Sequence, residues 1–415
     1  METVLIVGAG HAAGELATSL RQGGFEGRIV MVGAENHLPY QRPPLSKAYL
    51  SGEVQAEALY LKPQTTYDKA GVEFIGSTLV EAINRSTKTV TLSDERTLRY
   101  DKLALTTGGR VRRLSIAGAK EAEGSNNFHY LRTIEDVRRI SPQFQAGKRL
   151  VIIGGGYVGL EVAAVAIKRQ LHVTVLEGAP RVLARVTAPV MSAFYEQVHR
   201  EAGVELHTGV AVEGIELTPT GDAVTAVLCS SGLRIPADLV IVGIGLLPNV
   251  ELAEIAGLVV DNGIVVDEFA QTSDPDIVSA GDCTNHPNPI LGRRIRLESV
   301  PNALEQARTA AATICGKHRP HNSMPWFWSD QYDLKLQMVG LSEGYDQVVL
   351  RGDPAKRSFI AFYLKDGNVI AADSVSRPVE FMSCKRLVTE RAEVAPSVLA
   401  DESVPLKSLF ALPAV

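Results

Sequence analysis

Two glycine-rich loops, each between an apolar strand and a helix, constrain the fold of this chain more than any other feature. The first lies in VLIVGAGHAAGELA and the second in LVIIGGGYVGLEVA. Their glycines are Gly8, Gly10 and Gly14 in the first loop and Gly154, Gly156 and Gly159 in the second. One such loop is a weak signal, but two strand-loop-helix units predict an α/β chain with two Rossmann-like dinucleotide-binding domains.

The bulk composition disfavours several functional classes. The chain has 415 residues, enough for two or three domains, and 45% of them are hydrophobic, enough for a sizeable core. A net charge of −5 disfavours nucleic-acid binding, which needs a basic surface. No apolar run approaches the roughly 18 residues of a membrane helix, and METVLIVGAG enters a strand directly. We therefore expect a cytoplasmic protein with neither a membrane nor a nucleic-acid partner.

The cysteines are scattered, at Cys229, Cys283, Cys315 and Cys384. None belongs to a C-x-x-C pair or to a spacing typical of metal ligands. The sequence therefore predicts no disulfide framework and no metal site. Cys283 directly follows Asp282, and there we favour a small buried core residue over a reactive thiol.

The first loop has the parts that a pyrophosphate site needs. Residues 4–7 are predicted to be a buried parallel strand, Gly8 permits a tight turn, and Gly10 lets the backbone approach the phosphates. A helix predicted over 12–22 directs its positive N-terminus at them. Ala13 takes the third fingerprint position, as the Gly/Ala form of the motif allows.

An acidic residue closes the second strand of each predicted domain. The strand RIVMVG is predicted to end at Glu35, at a longer spacing from its loop than the roughly 20 residues typical of the motif, and HVTVLE ends at Glu177, close to that spacing. A carboxylate there accepts hydrogen bonds from ribose hydroxyls and repels a 2′-phosphate, so Glu177 favours NADH over NADPH. Arg181 and Arg185 follow, and because arginines accommodate a 2′-phosphate, the alternative stays open.

Three further segments are predicted to return the chain to these loops, namely TTGG, IVGIGLLPN and DIVSAGDC. The candidate nucleotide contacts within them are Thr107, Gly108, Gly245, Gly281 and Asp282. An aspartate at such a turn can bind the ribityl hydroxyls of a flavin. Pro301 is then predicted to break the chain, with a helix starting near Asn302 as its cap.

This order predicts a discontinuous first domain with a second domain inserted into it. We expect an FAD-binding domain over 1–109 and 243–322, an NAD-binding domain over 110–242, and a C-terminal domain over 323–415. In the last, the runs QVVLRG and SFIAFYLKDGNVIAADS, with a turn at Asp366 and Gly367, predict an antiparallel hairpin and an α+β fold.

The motifs taken in order become specific to a family. GAGHAAGE, RPPLSK, TTGG, GGGYVGLE, GIGLLPN, AGDC and WFWSDQ resemble the FAD-dependent, NADH-using ferredoxin reductases of bacterial monooxygenase and dioxygenase systems, above all the putidaredoxin reductase branch. The resemblance covers essentially the whole chain, and RPPLSK and WSDQ are more diagnostic than the glycine loops. It implies a glutathione-reductase-like fold, hydride transfer from NADH to FAD, and single electrons passed to a transient [2Fe-2S] ferredoxin that supplies a haem-thiolate monooxygenase.

The resemblance also implies roles for residues outside the glycine loops. The implied FAD contacts are Arg42, Lys47, Val80, Arg132, Asp282, Val300 and Trp328, and Tyr157 of GGGYVG is added to the nucleotide contacts. Lys47 is expected on the N5 side of the flavin and paired with Glu161, which makes this pair the catalytic candidates. Hydride transfer needs alignment rather than a protein acid or base, so the expected contribution of the pair is electrostatic.

Alternative functions remain open. A thiol- or peroxide-directed reductase needs a cysteine pair, or a cysteine where this chain has RPPLSK, and neither is present. A Rieske-type or rubredoxin partner is a narrower alternative, and a signalling flavoprotein of the apoptosis-inducing factor group fits the acidic chain poorly. We expect a monomer or weak dimer. Because such ferredoxins are acidic, the candidate docking residues are basic: Arg293, Arg294, Arg296, Arg308, Lys335, Lys385 and Arg386.

Overall fold

The chain forms two compact units in the structure, a computed structural model that describes residues 1–230 and 232–410. The first unit comprises Met1–Gln41, Glu57–Arg110 and Leu247–Trp326. The second comprises Arg42–Ala56, Val111–Leu246 and the described residues from Phe327 on. The segment that carries Arg42 and Lys47 thus belongs to the second unit, and the three-domain division drawn from the sequence stays a prediction.

Helices and strands alternate over most of the chain. The helices are, in chain order, α1 His11–Gln22, α2 Gln64–Lys69, α3 Ala119–Ala122, α4 Ile134–Ile140, α5 Tyr157–Lys168, α6 Pro189–Glu201, α7 Glu251–Ile255, α8 Val300–Ile314, α9 Pro378–Thr389 and α10 Pro396–Ala400. The strands are, in chain order, β1 Thr3–Val7, β2 Arg28–Val32, β3 Val72–Ile75, β4 Val80–Asn84, β5 Thr89–Leu92, β6 Thr97–Arg99, β7 Lys102–Leu105, β8 Gly109–Val111, β9 Phe128–Tyr130, β10 Arg149–Ile153, β11 His172–Glu177, β12 Glu205–Thr208, β13 Val212–Leu217, β14 Val224–Cys229, β15 Arg234–Pro236, β16 Leu239–Val242, β17 Leu246–Pro248, β18 Ile264–Val265, β19 Ile277–Ser279, β20 Thr284–Asn288, β21 Arg293–Ile295, β22 Trp326–Gln331, β23 Leu334–Gly340, β24 Gln347–Asp353, β25 Ser358–Lys365 and β26 Asn368–Val375.

A parallel sheet in the order β3-β2-β1-β7-β19 forms the core of the first unit. Its strands are short and rich in Val, Ile and Leu, which suits a parallel sheet covered on its faces. Ile6, Leu16 and Ala307 are fully buried in one cluster, so α1 and α8 pack on the same face of β1. Because the chain leaves β1 and β7 in opposite directions, their carboxyl ends border a crevice suited to a nucleotide.

The second unit repeats this arrangement with the parallel order β12-β11-β10-β16-β9. Val151, Leu176 and Val240 are buried in its core. The equivalent crevice lies at the carboxyl ends of β10 and β16, where the strand order reverses. The loops after β10 and β16 are therefore where a second nucleotide would bind.

The C-terminal part of the second unit is an antiparallel sheet in the order β22-β23-β26-β25-β24, with α9 packed on it. Phe359, Phe362 and Leu387 are fully buried. The turn at 366–367 joins β25 to β26, as the sequence predicts. The expected α/β fold with two dinucleotide-binding sheets and a C-terminal α+β part is confirmed.

Two local expectations were wrong. Helix α8 begins at Val300 with Ser299 at its N-cap, so Asn302 lies inside the helix and Pro301 occupies its first turn. Proline is tolerated there because the first N–H groups of a helix have no intrahelical partner. Strand β2 ends at Val32, so Glu35 lies in the following turn rather than at the strand end.

Among the described residues, no helix is both long enough and apolar enough to cross a membrane.

Candidate functional site

The first glycine loop is built for close approach of backbone groups. Gly8 has a φ of +106°, and a Cβ there would lie 2.3 Å from the carbonyl oxygen of Thr106, directly after the neighbouring strand β7. Around Gly10, by contrast, a Cβ would meet nothing within 4 Å. No side chain caps α1, and no acid lies in its first turn. Its N–H groups are therefore available to an anion, and the loop fits a dinucleotide pyrophosphate.

Ala13 and Gly14, the other small residues predicted for this site, lie in α1 and pack closely against its neighbours. Ala13 is fully buried in the core cluster under α1. A Cβ at Gly14 would lie 2.8 Å from the Cβ of Pro39 and 2.8 Å from the hydroxyl of Tyr67. Both small residues therefore serve close packing of α1. Glu35 accepts a hydrogen bond from the Tyr40 hydroxyl at 2.6 Å.

The second glycine loop has the same geometry. Gly154 has a φ of +114°, and a Cβ there would lie 2.3 Å from the carbonyl oxygen of Gly243, at the end of β16. Gly156 has open space where a Cβ would be, and α5 begins without a side-chain cap. A Cβ at Gly159 would lie 2.1 Å from the carbonyl oxygen of Gly154. This loop also fits a pyrophosphate, with Gly159 required for contact between helix and loop.

Glu177 lies directly beside the second loop. Its Oε2 accepts the backbone N–H of Gly155 at 2.7 Å, and its Oε1 accepts the backbone N–H of Ala179 at 2.7 Å. The carboxylate is thus fixed at the position expected for a ribose ligand. Arg185 reaches the opposite side of the crevice, because a Cβ at Gly245 would lie 3.3 Å from its guanidinium. The structure brings these predicted residues of the second site together.

Lys47 and Glu161 form a largely buried ion pair. The Lys47 Nζ lies 2.8 Å from the Glu161 Oε2, and the side chains are 17% and 4% exposed. Lys47 reaches the acid because Pro43–Ser46 forms a 3₁₀ turn that ends beside α5. The Lys47 Nζ also donates to the Pro43 carbonyl oxygen at 3.2 Å. A buried pair with further hydrogen bonds holds its charges in fixed positions.

Two serines, for which the sequence predicts no role, bond to the acid of this pair. Ser46 donates to the Glu161 Oε2 at 2.5 Å, and Ser329 donates to its Oε1 at 2.6 Å. Ser46 lies within RPPLSK and Ser329 within WFWSDQ, so the two diagnostic motifs converge on one carboxylate. Their position inside those motifs was the only signal that could have revealed them.

An aromatic row begins at the second loop. The ring centroid of Tyr157 lies 5.1 Å from that of Phe327, which in turn lies 6.3 Å from that of Trp328. The Tyr157 hydroxyl donates to the Met338 sulfur at 2.7 Å. Burial, together with the negative charges of Asp373 and other groups, raises the pKa of Tyr157, so its hydroxyl stays protonated. Trp328 also borders a cavity of about 410 Å³ with Lys335 and Pro378.

Arg42 and Arg132, predicted from separate motifs, lie next to each other. The Arg42 Nη1 donates to the Arg132 carbonyl oxygen at 2.8 Å. The backbone N–H of Arg132 donates to Asp136, which caps α4 together with Thr133. The cap therefore fixes the backbone of Arg132, to which the Arg42 side chain also bonds.

The remaining candidates of the first unit lie in the loops after β7 and β19 and at the starts of α8 and β4. Thr107 donates to the Asn249 carbonyl oxygen at 2.7 Å, and the Asn249 N–H donates to the Gly108 carbonyl oxygen at 3.0 Å. The N–H of Gly281, beside Asp282, donates to Gln306 of α8 at 2.8 Å. These bonds attach the loops after β7 and β19 to their neighbours. Val300 begins α8, and Val80 begins β4 and packs against the core.

Cys283 is a core residue, as favoured from the sequence. It is fully buried in the cluster beneath β7 and β19. Burial raises the pKa of its thiol, so the reactive thiolate form is disfavoured. Among the described residues, no cysteine forms a disulfide.

The basic docking candidates are divided between the two units. Arg294 donates to the Val266 and Asn285 carbonyl oxygens, and Arg308 forms ion pairs with Glu15 and Glu305. These two guanidinium groups are therefore engaged within the first unit. The lysines of the candidate set, Lys335 and Lys385, belong to the second unit.

Comparison with known proteins agrees with this geometry along the whole chain. Residues 2–307 match the pyridine nucleotide-disulphide oxidoreductase family, and residues 326–410 match a reductase C-terminal domain. The chain is 54% identical to putidaredoxin reductase of Pseudomonas putida over 99% of this chain and 97% of that protein. It is 41% identical to the ferredoxin–NAD(+) reductase component of the anthranilate 1,2-dioxygenase system of Burkholderia cepacia, over 98% of each chain.

One solved structure is similar to this chain over nearly its whole length. The crystal structure of the covalent putidaredoxin reductase–putidaredoxin complex superposes with a TM-score of 0.95 at 54% identity, over 99% of this chain and 98% of that one. The two nucleotide loops, the Lys47–Glu161 pair and the C-terminal sheet all fall within the matched length. This chain therefore belongs to the pyridine nucleotide-disulphide oxidoreductase family and, within it, to the ferredoxin reductases of oxygenase systems.

Proposed function

We propose that this protein is an NADH-dependent FAD flavoprotein that reduces a [2Fe-2S] ferredoxin, which in turn supplies a haem-thiolate monooxygenase. The family binds FAD and a nicotinamide dinucleotide, and the partner is proposed from the full-length likeness to putidaredoxin reductase. The single observation that carries the choice of NADH is the Glu177 carboxylate, held 2.7 Å from the Gly155 nitrogen.

The residues that would bind the two nucleotides divide by loop. Gly8 and Gly10, with the N-terminus of α1, would hold the FAD pyrophosphate, and Asp282 would bind the ribityl chain. Gly154 and Gly156, with the N-terminus of α5, would hold the pyrophosphate of the nicotinamide nucleotide. Glu177 would accept hydrogen bonds from the adenosine ribose and repel a 2′-phosphate.

Bound FAD supplies the chemistry that accepts two electrons together and returns them one at a time. The chain supplies charge and alignment. Lys47 provides a cation of fixed position, because Glu161 and the Pro43 carbonyl oxygen both hold its Nζ. Ser46 and Ser329 hold Glu161 in turn, so the cation need not reorganise during electron transfer.

A thiol- or peroxide-directed reductase is the second candidate, and the structure offers it little. It would need a reactive cysteine, and Cys283 is buried with the pKa of its thiol raised. A dioxygenase system is the narrower alternative for the electron acceptor. It is favoured by the 41% identical anthranilate 1,2-dioxygenase component, and the higher identity to putidaredoxin reductase favours the monooxygenase.

The test is anaerobic mixing of the holoenzyme with NADH and, separately, with NADPH, followed by the loss of visible flavin absorbance. Each mixture is then repeated with putidaredoxin and with cytochrome c as the final acceptor. Rapid bleaching by NADH, with cytochrome c reduction that requires putidaredoxin, is the expected result. Bleaching without ferredoxin-dependent transfer, together with fast peroxide or disulfide turnover, would overturn the proposal.

A further inference from the structure

The loop after β11 contacts the second glycine loop directly. We call residues 178–188 the post-β11 loop. Its Leu183 N–H donates to the Gly155 carbonyl oxygen at 3.0 Å, while the Gly155 N–H donates to Glu177. Gly155 is therefore bonded on both sides, through its N–H to Glu177 and through its carbonyl oxygen to Leu183 of the post-β11 loop. A displacement of this loop would move the nucleotide crevice with it.

The post-β11 loop is held internally by Arg181. Its guanidinium donates to the carbonyl oxygens of Ala184 and Thr187, at 3.0 and 2.8 Å, and to the Ser192 hydroxyl at 2.6 Å. Arg181 is thus committed to the loop backbone and is not available to a 2′-phosphate. Only Arg185, which is exposed, points from this loop to the crevice beside Gly245.

The end of the loop is attached to the C-terminal sheet by one buried carboxylate. The Asp373 Oδ2, on β26, accepts the Thr187 hydroxyl at 2.6 Å and the Tyr363 hydroxyl at 2.7 Å. Asp373 and Thr187 are each 6% exposed. A contact between apolar side chains would pack the loop on the sheet without the desolvation cost of a buried carboxylate. The presence of a charged acceptor instead indicates that this contact fixes the position of the loop.

Helix α6, which follows the loop, rests on the same sheet. The ring centroids of Phe194 and Phe359 are 5.0 Å apart. Near the end of the helix the two ring nitrogens of His199 lie 2.8 Å from Gln331 and 3.0 Å from Tyr332. The C-terminal sheet therefore supports both the post-β11 loop, through Asp373, and the helix that follows the loop.

We propose that Asp373 is a positioning residue for the nicotinamide nucleotide. Through Thr187 it fixes the post-β11 loop against Gly155 and so sets the affinity of the second glycine loop for its nucleotide. Asp373 acts on nucleotide affinity and leaves the electron-transfer step itself unchanged. The inference rests on the proposed function, in which that loop binds NADH.

The test compares four variants as FAD-loaded proteins: Thr187→Val, Thr187→Ser, Asp373→Asn and the exposed turn residue Asp366→Asn as a matched control. Binding of NAD⁺ is measured by calorimetry, and NADH reduction is measured by stopped flow, which separates affinity from limiting rate. Because hydrogen bonds to charged groups contribute modestly, Thr187→Val and Asp373→Asn should weaken NAD⁺ binding roughly tenfold, with the limiting rate within about twofold. Thr187→Ser and Asp366→Asn should bind NAD⁺ as the parent protein does.

Three outcomes would overturn the inference: parental NAD⁺ affinity in both Thr187→Val and Asp373→Asn, equal losses in Thr187→Ser and Thr187→Val, or a fall in limiting rate with affinity unchanged. If Asp373→Asn does not fold with bound FAD, the two Thr187 variants decide alone. Failure of the proposed function gives a different result, since the parent protein itself would then neither bind NAD⁺ nor be reduced by NADH.

Discussion

Ser329 donates its hydroxyl hydrogen to Glu161 across 2.6 Å, which joins the C-terminal sheet to the helix of the second glycine loop. Glu161 in turn holds Lys47, the cation proposed to act beside the flavin. The C-terminal sheet therefore contributes to the electrostatics of the proposed active site through the Ser329 hydroxyl. Asp373 makes a second connection, from the same sheet to Thr187 of the post-β11 loop.

Lys47→Ala is expected to slow flavin reduction by NADH more than it weakens FAD binding. The change removes the cation but leaves the pyrophosphate loop around Gly8 intact. Stopped-flow reduction, set against FAD affinity from dialysis, measures both quantities. Lys168→Ala is the matched control, because Lys168 forms an exposed ion pair with Glu53, with side chains 71% and 55% exposed. Reduction of Lys47→Ala at the parental rate would refute the assigned role.

Glu177→Gln is expected to relax the preference for NADH. The amide no longer repels a 2′-phosphate, so the ratio of kcat/KM for NADPH to kcat/KM for NADH should rise about tenfold, or about 1.4 kcal/mol. Both values should also fall, because the amide nitrogen cannot accept one of the two backbone N–H groups, of Gly155 and Ala179, that the carboxylate accepts. Steady-state kinetics with both nucleotides measures the ratio, with the exposed Glu213→Gln as control. An unchanged ratio would show that Glu177 does not discriminate.

Gly159→Ala is expected to disrupt the second loop while FAD remains bound. The new Cβ would lie 2.1 Å from the Gly154 carbonyl oxygen, so the backbone must move, at a typical cost of about 1–3 kcal/mol. Calorimetric titration with NAD⁺ should show at least about tenfold weaker binding, with the visible flavin spectrum retained. Ala13→Gly, at the equivalent position of the first loop, should cost only about 1 kcal/mol of helix stability. Loss of flavin from Gly159→Ala would argue against this assignment of the loops.

Asp373→Asn is expected to change how stability depends on pH. Burial raises the pKa of Asp373 from 3.8 to about 6. Between about pH 4 and pH 6 the folded state then keeps a proton that the unfolded state has lost, so stability falls as pH rises. Relative to the Asn variant, the parent should lose on the order of 2 kcal/mol between pH 4 and pH 7. Scanning calorimetry at both pH values measures this, and parallel curves for the two proteins would contradict it.

Ferredoxin-dependent reduction of cytochrome c is expected to slow as ionic strength rises. An acidic ferredoxin would be attracted by basic residues such as Lys335 and Lys385, and added salt screens charges more than about 10 Å apart at 0.1 M. Direct reduction of ferricyanide by the same protein is the control for effects on NADH oxidation. A ferredoxin rate that does not change with salt would remove the electrostatic docking hypothesis.

The nucleotide loops could be predicted because their determinants are local. An apolar strand followed at once by glycines and a helix identifies β1 and β10, and the next strand then places Glu177 at a fixed distance. The turn at 366–367 was predictable for the same reason. The start of α8 was not, because Ser299 and Asn302 are both favourable cap residues and Pro301 is compatible with either choice. In the structure the Ser299 hydroxyl donates to the Trp326 carbonyl oxygen instead of capping the helix.

The serine partners of Glu161 and the partner of Thr187 could not be predicted, because they are distant in sequence. Ser46 and Ser329 reach Glu161 from segments that no periodicity relates to α5. Neither Thr187 nor Asp373 lies in any of the motifs quoted above. Sequence patterns locate strands, loops and charge types, whereas the pairing of one hydroxyl with one carboxylate depends on tertiary packing.

The segment Arg42–Ala56 has a consequence for any attempt to divide the protein. It precedes most of the first unit along the chain, yet it belongs to the second unit, where Ser46 and Lys47 bond to Glu161. A fragment cut at the sequence boundary near residue 110 would lack both donors and leave a buried carboxylate with Ser329 alone. The second unit therefore needs residues 42–56 from the N-terminal part of the chain. A fragment that begins after residue 110 should fold into an unstable nucleotide domain.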